Sequence, residues 1–416
     1  MSVVKAFKAV RPAPALADRV AALPYDVMNS EEAREMVVGN PYSFLHVDKA
    51  EIDLDPSIDL YDQRVYEKAR DNLNGMIADG GFIQDETPCL YIYKQVMDGR
   101  AQIGLVGCTS IDDYMNDIIK KHELTRADKE QDRINHVDYC DANTGPIFLT
   151  YRAKDTIEKL VSGVMEAKAP VYDFTSEDGI THTVWVIDDA QVVDALCKEF
   201  EGVDYLYIAD GHHRSASADR VGCNRRAQFP NYDGSEEFNY FLSVIFPDSH
   251  LYIMDYNRIV KDLNGHSKDE FMAKVAEKFE VSAYEGEGAL KPAEKHTWGM
   301  YIDGKWYLLK AKEGTFDPAD PVARLDVSIL QNNVLTPLLG IQDPRTDKRI
   351  DFVGGIRGLD FLSDAVDSGK MAVAFSMFPT TMDDLMSIAD AGAIMPPKST
   401  WFEPKLRSGL LIHKLS

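Results

Sequence analysis

Cysteine is scarce and badly spaced for a metal staple. The chain has five cysteines in 416 residues, and no two form a Cys-x-x-Cys pair. A structural zinc site of the usual kind is therefore not expected. The odd count and wide spacing suit reduced thiols of a cytosolic protein. Basic residues are also in deficit: 45 Lys and Arg stand against 68 Asp and Glu, a formal charge of −23. Affinity for nucleic acid rests on clustered Lys and Arg, so broad nucleic-acid binding is excluded, while a local anion pocket is not. No apolar run reaches the roughly 18 residues of a membrane helix. The first residues, Met1 to Phe7, lack the apolar core of a signal peptide, so the expected location is the cytoplasm, with no membrane partner. Two phosphate-binding signatures are absent as well: Gly-x-x-x-x-Gly-Lys-Ser/Thr and Gly-x-Gly-x-x-Gly. Any nucleotide site must be built another way.

What remains is an ordinary globular composition, 45% apolar and 27% charged. Its length suits two or three domains. Strand and helix patterns alternate throughout, which gives an α/β class, with α+β as the neighbouring option. Residues 61–79 repeat apolar positions at i, i+4 and predict a helix. Leu90–Val96 and Gln102–Thr109 predict a hairpin turning at Asp98-Gly99. Ser30, followed by Glu31 and Glu32, predicts a capped helix start. Thr183–Ile187 predicts a strand, 189–201 a helix and Tyr205–Ala209 a buried strand. In the last third, strands are expected at Phe238–Phe246, Leu251–Asn257 and 371–375. A hairpin over Ile302–Leu309 turns at Asp303-Gly304, and helices are expected at 268–279, 324–335 and 381–391.

The buried strand ends abruptly at Asp210-Gly211-His212-His213-Arg214, followed by Ser215, Ala216, Ser217 and Ala218. A glycine there permits a sharp turn and close approach of a ligand to the backbone. The free N–H groups of the helix that follows favour an anion. Arg214 adds a forked cation, and Ser215 and Ser217 add hydroxyls. The pattern is a phosphate cradle; the plainer reading is a strand-to-helix turn with capping polar residues. Adjacent His212 and His213 on one helix diverge by about 100°, which disfavours a shared metal ion.

A second charged stretch runs from Lys121-His122-Glu123 through Arg126, Lys129 and Arg133 to His136. If helical, His122, Arg126, Lys129, Arg133 and His136 form one cationic stripe, with Glu123 beside it as a candidate general base. The plainer reading is a solvated face. Asp141-Ala142-Asn143-Thr144-Gly145-Pro146 reads as a polar loop entering an apolar strand. With Pro24-Tyr25-Asp26 and Lys398-Ser399-Thr400, it is a candidate pocket edge. Cys140 reads as a small half-buried residue rather than a nucleophile.

Several of these stretches also resemble a known family. Arg11-Pro12, Pro24-Tyr25-Asp26-Val27, Asn40-Pro41-Tyr42-Ser43-Phe44-Leu45, Lys121-His122-Glu123, Asn143-Thr144-Gly145-Pro146, Asp210-Gly211-His212-His213-Arg214 and Pro397-Lys398-Ser399-Thr400 together resemble domain-of-unknown-function family 1015. More distantly, His122-Glu123 with Asp210-Gly211-His212-His213-Arg214 resembles free-serine kinases of the ParB/sulfiredoxin-like fold. Here more than 80 residues separate the two motifs, further than in those kinases, and this implies an insertion.

The resemblance implies a ParB/sulfiredoxin-like core over 116–250, between an N-terminal α/β part (1–115) and a C-terminal one (251–416). It implies a nucleotide-dependent phosphotransferase acting on a small hydroxyl metabolite, free serine first. Glu123 and Asp210 are the implied catalytic residues. Gly211, His212, His213, Arg214, Ser215 and Arg133 are the implied phosphate binders. His122, Arg126, Asn143, Thr144 and Lys398 are the candidate substrate pocket. ATP or ADP and Mg²⁺, the latter on Asp210, are the implied cofactors; partners are the nucleotide and a small-molecule substrate, and homo-oligomerisation is left open. Two alternatives stand beside this: a non-catalytic nucleotide-binding switch, and a metal-dependent phosphatase or hydrolase built on His212, His213 and Asp210.

Overall fold

A computed structural model describes all 416 residues. The backbone divides into two units, residues 1–251 with 404–416, and residues 252–403. The three-part division expected from the sequence meets a different arrangement at residue 115, because the strands on either side of that position share one sheet.

The sheet of the first unit has nine strands. They are β1 (Val4–Lys5), β2 (Leu90–Met97), β3 (Arg100–Ser110), β4 (Ile119–Lys120), β5 (Ile147–Tyr151), β6 (Tyr172–Thr175), β7 (Thr181–Ile187), β8 (Leu206–Asp210) and β9 (Tyr240–Pro247). Their order is β4-β8-β5-β9-β3-β2-β7-β6, with β1 on β3. The segment 116–250 supplies β4 to β9. The preceding segment supplies β1 to β3, because the β2–β3 hairpin bridges β7 and β9. Asp98 and Gly99 adopt φ 51° and 77° at its turn, the left-handed pair a tight hairpin needs.

Five longer helices join this sheet: α1 (Gln63–Ala78), α2 (Ala127–Cys140), α3 (Asp155–Ala167), α4 (Ala190–Glu201) and α5 (His212–Gln228). Ile157 and Val164 of α3 and Val193, Leu196 and Phe200 of α4 pack on Leu90, Ile92, Leu149, Leu206 and Ile208 in one apolar cluster. Val65, Ala69 and Leu73 of α1 pack with Phe44, Leu45 and Cys140 in a second. Val137 of α2 meets Val221 of α5 in a third, which also holds Leu415. The apolar face of each helix thus fixes where its polar face points.

Three local details depart from the sequence reading. The helix at Ser30–Met36 is capped by Asn29, whose side chain accepts from Glu31 and Glu32 N–H groups, while the Ser30 hydroxyl donates to Glu51. The charged stretch does not form one helix from 122 to 136: α2 starts at Ala127, with Arg126 as its N-terminal flanking residue. His122 and Arg126 therefore stand on a loop, and the five-residue stripe does not exist. In the second unit the strand expected at 251–257 lies at Tyr256–Val260.

The second unit is built on a six-stranded sheet of its own. Its strands are β10 (Tyr256–Val260), β11 (Phe279–Ala283), β12 (Thr297–Ile302), β13 (Lys305–Ala311), β14 (Ile350–Gly354) and β15 (Val373–Met377). They run in the order β11-β13-β12-β15-β10-β14. The helix expected at 324–335 is an α-helical turn over Asp326–Leu330 continued by a π-helical one over Gln331–Leu335. No helix in either unit is long and apolar enough to cross a membrane.

Candidate functional site

The site begins where β8 ends. Leu206, Tyr207, Ile208 and Ala209 are buried, so the strand is held on both faces. A register shift between Ile208 and Asp210 re-aims the last residue of the strand. Gly211 then turns the chain at φ 95° into α5. The first intrahelical hydrogen bond is Ser215 N–H to the Gly211 carbonyl at 2.9 Å. No side chain caps this end. The amides of His212, His213 and Arg214 thus lack intrahelical acceptors, and the positive end of the dipole lies here.

Strand direction explains which other segments arrive. β4 runs parallel beside β8, with Leu206 opposite Ile119. The chain leaving β4, carrying His122 and Glu123, therefore emerges at the same sheet end as Asp210. β5 runs antiparallel to β8 on its other side, so its leading loop, Asn143–Pro146, reaches that end too. Three segments distant in sequence converge for one topological reason.

Arg214 makes its hydrogen bond to the Pro146 carbonyl at 2.6 Å. A guanidinium has five N–H donors, so most of this one is uncommitted. It lines a cavity of about 20 Å³ together with Tyr25, Asp48, Arg133, His136, Asn143, Thr144, Gly145 and Ser408. Burial works against its charge, but the field of Asp26 and Asp210 outweighs this and holds Arg214 protonated. Arg133 stacks on the Tyr25 ring at 4.0 Å and pairs with Asp132 at 2.9 Å. Its charge is thus answered by a direct ion pair, whereas that of Arg214 is met only by the field of carboxylates such as Asp26 and Asp210. His136 Nε2 lies 3.1 Å from the Thr144 hydroxyl, which donates to Asp48 at 2.7 Å. Burial opposes protonation of His136, yet Cys140 and Asp48 raise its pKa to about 9. The cavity wall is cationic at neutral pH in a protein of large negative charge.

Asp210 accepts from the Gly211 N–H at 2.8 Å and from Lys405 at 3.0 Å. Burial favours the neutral acid, but Lys405 and then Arg214 hold the carboxyl well below its ordinary range.

The other expected residues divide by position. Asn143 and Thr144 line the cavity. The Asn143 side-chain oxygen accepts from Leu242 N–H at 3.2 Å. The hydroxyls of Ser215 and Ser217 both donate backwards into the helix, to Gly211 and Arg214 carbonyls. Those protons are already spent, so neither hydroxyl supplies the donor read from the sequence. His213 accepts the Arg126 N–H at 3.1 Å, which ties the 121–126 loop to α5. The Arg126 guanidinium is turned to solvent and pairs with Asp128. Lys398 belongs to the second unit, where its carbonyl accepts from Arg258 at 2.9 Å.

His212 turns towards His122 rather than the cavity. The two rings meet edge to face with centroids 4.5 Å apart, and Glu123 Oε2 lies 3.6 Å from His212 Nδ1. Burial lowers the pKa of His122 to about 4. Burial, and then the neighbouring His122, lowers that of His212 far below its ordinary value. Both are neutral imidazoles at physiological pH. The trio envisaged for a hydrolase, His212 with His213 and Asp210, is not the one drawn together here.

Sequence reasoning missed Asp48, Lys405 and Ser408. Asp48 follows Phe44-Leu45 and Val47, an acid closing a buried apolar turn. Lys405 and Arg407 alternate with apolar residues in the tail, an arrangement that hints at inward-facing cations.

A family model described as a protein of unknown function, DUF1015, matches residues 4–328. The chain belongs to the DUF1015 family. No curated protein matches it. Among solved structures, free serine kinase in complex with AMP is similar at 13% identity and a TM-score of 0.36, over 73% of this DUF1015 chain and 91% of that one. A variant of free serine kinase in complex with ADP is similar at 12% identity and a TM-score of 0.36, over 74% and 93%. A conserved hypothetical protein from Pyrococcus furiosus is similar at 15% identity and a TM-score of 0.35, over 73% and 93%. Likeness at these scores assigns no chemistry to the DUF1015 chain.

Proposed function

We propose that the first unit binds a nucleotide through its phosphates at the N-terminus of α5 and transfers a phosphoryl group between that nucleotide and a small hydroxyl metabolite, free serine being the acceptor the motifs favour. The supporting observation is the meeting of the two motifs. Glu123 contacts His212, and Arg214 follows His212 by two residues in the same helical turn. The loop that carries the candidate base thus packs against the helix whose N-terminus is the candidate anion cradle.

Phosphoryl transfer asks a protein mainly for positioning and charge stabilisation. The free amides of residues 212–214 and the uncommitted donors of Arg214 would hold phosphate oxygens. Glu123 would take the acceptor's hydroxyl proton as the new O–P bond forms and the bond to the leaving nucleotide breaks. ATP and ADP are both chemically competent donors, and the same residues serve the reverse direction. A carboxylate has about four lone-pair positions, and Gly211 and Lys405 use two of those on Asp210. Asp210 would therefore be the protein ligand of a magnesium ion whose other ligands are phosphate oxygens and water. Such an ion supplies further charge neutralisation at the transferring group.

The test is Glu123→Gln, which keeps size and hydrogen bonding but removes the basic carboxylate. Phosphoserine formation and its reversal should fall by about 10²–10⁴-fold. Nucleotide affinity by calorimetry should hardly change. Undiminished turnover would reject Glu123 as the base. Nucleotide binding by the native protein without turnover on any hydroxyl acceptor would favour the non-catalytic switch.

A further inference from the structure

His122 and His212 are 2% and 5% exposed. His122 Nδ1 and His212 Nε2 are buried without a hydrogen-bond partner. Buried polar atoms are nearly always partnered, and exceptions commonly mark an ion or a functional demand. Two of the five such atoms in the chain fall on rings that touch each other, and the Glu123 carboxylate lies against Nδ1 of one of those rings. One donor atom from each of His122, Glu123 and His212 can be chosen so that all three lie within 4.8 Å of one another. Glu123 is half exposed, so the cluster opens to solvent on one side.

We propose that His122, Glu123 and His212 bind one divalent transition ion of the zinc class, with a fourth coordination position open to water or an incoming ligand. Two neutral imidazoles and one carboxylate form the donor set of open zinc sites. The two nitrogens select against magnesium and calcium, which take oxygen ligands. Bonds of about 2.0–2.2 Å in tetrahedral geometry place donors roughly 3.5 Å apart, so the cluster must contract by about 1 Å. The half-exposed Glu123 side chain and the two ring orientations would together have to supply that closure. This inference does not rest on the phosphoryl-transfer reading, but it bears on it. A carboxylate bound to the ion through one oxygen keeps a second oxygen that is a weaker base, so bound zinc would slow proton uptake at Glu123 without removing it.

The experiment reads binding, not activity. Chelator-treated full-length protein is titrated with Zn²⁺ against a chromogenic chelator, and with Co²⁺ while its visible absorption is recorded. One ion per chain is expected, with the intense d–d bands of a four-coordinate cobalt site and no thiolate charge-transfer band. His122→Gln and His212→Gln should each weaken zinc at least about 100-fold, and Glu123→Gln at least about tenfold. Asp343→Asn and His266→Gln, both in the second unit, should leave zinc affinity unchanged. Circular dichroism checks that each variant is folded; if a histidine variant is not, Glu123→Gln and the cobalt spectrum of the native protein decide. Absence of stoichiometric binding, a thiolate band, or affinity insensitive to Glu123→Gln would overturn the proposal. Failure of the phosphoryl-transfer reading would leave all of these outcomes standing.

Discussion

Replacing Arg214 by alanine should weaken nucleotide binding by about 10- to 150-fold while leaving the fold intact. Arg214 gives one hydrogen bond to the Pro146 carbonyl, and its side chain lines the cavity of about 20 Å³. Arg133, the other cation on that wall, is already paired with Asp132. Arg214 is thus the cation of that wall whose charge is met by no direct ion pair, only by the field of Asp26 and Asp210. A hydrogen bond to a charged group contributes roughly 1.5–3 kcal/mol, and about 1.4 kcal/mol is tenfold in affinity. The stability effect is smaller because two changes oppose each other: the Pro146 carbonyl loses its donor, but a largely desolvated cation is also removed. Arg214→Lys should fall between the native protein and alanine, since an ammonium keeps the charge but loses the fork. Calorimetric titration with ADP, at one fixed ionic strength, reads the affinity; urea denaturation reads the fold. A folded Arg214→Ala protein that binds ADP as tightly as the native one would refute the assignment of the phosphate site.

Two further outcomes follow from the same geometry. Gly211→Ala should destabilise the chain by about 1–3 kcal/mol in urea denaturation, because φ is 95° there and an added Cβ would stand 3.3 Å from Arg214 Nε; its ADP affinity should fall as well, through displacement of that guanidinium. His136 has a folded pKa of about 9, above the ordinary 6.5, so its contribution to stability is complete below about pH 6.5 and disappears as pH rises through 9. Urea midpoints across pH 6–9.5 should show that decline, and Cys140→Ser and Asp48→Asn should each flatten it; a decline as steep in both variants would show that these neighbours are not its source.

Legibility from sequence tracks how local the determinant is. The end of β8 and the start of α5 were readable because an apolar run meets Asp-Gly within five residues. The hairpins were readable because Asp98-Gly99 and Asp303-Gly304 adopt the left-handed angles such pairs favour. The stripe from His122 to His136 holds only if one helix spans it, and spacing alone does not show where a helix begins. The chain keeps an extended loop to Arg126, held by the bond from its N–H to His213 on another helix. The strand near 256 was placed early because Leu251 and Ile253 are buried without belonging to the second unit's sheet. Lys405 on Asp210 and Asp48 beneath Thr144 depend on partners 195 and 96 residues away. No local pattern encodes such pairs. The parallel placement of β4 beside β8, which brings Glu123 to His212, is likewise a property of the sheet rather than of either motif.

The most direct test of the central claim is a crystal structure of the full chain with ADP bound. The account predicts phosphate oxygens within hydrogen-bond reach of the backbone amides at 212–214 and of the Arg214 guanidinium. ADP seated elsewhere, with those amides and Arg214 making no contact to phosphate, would contradict it.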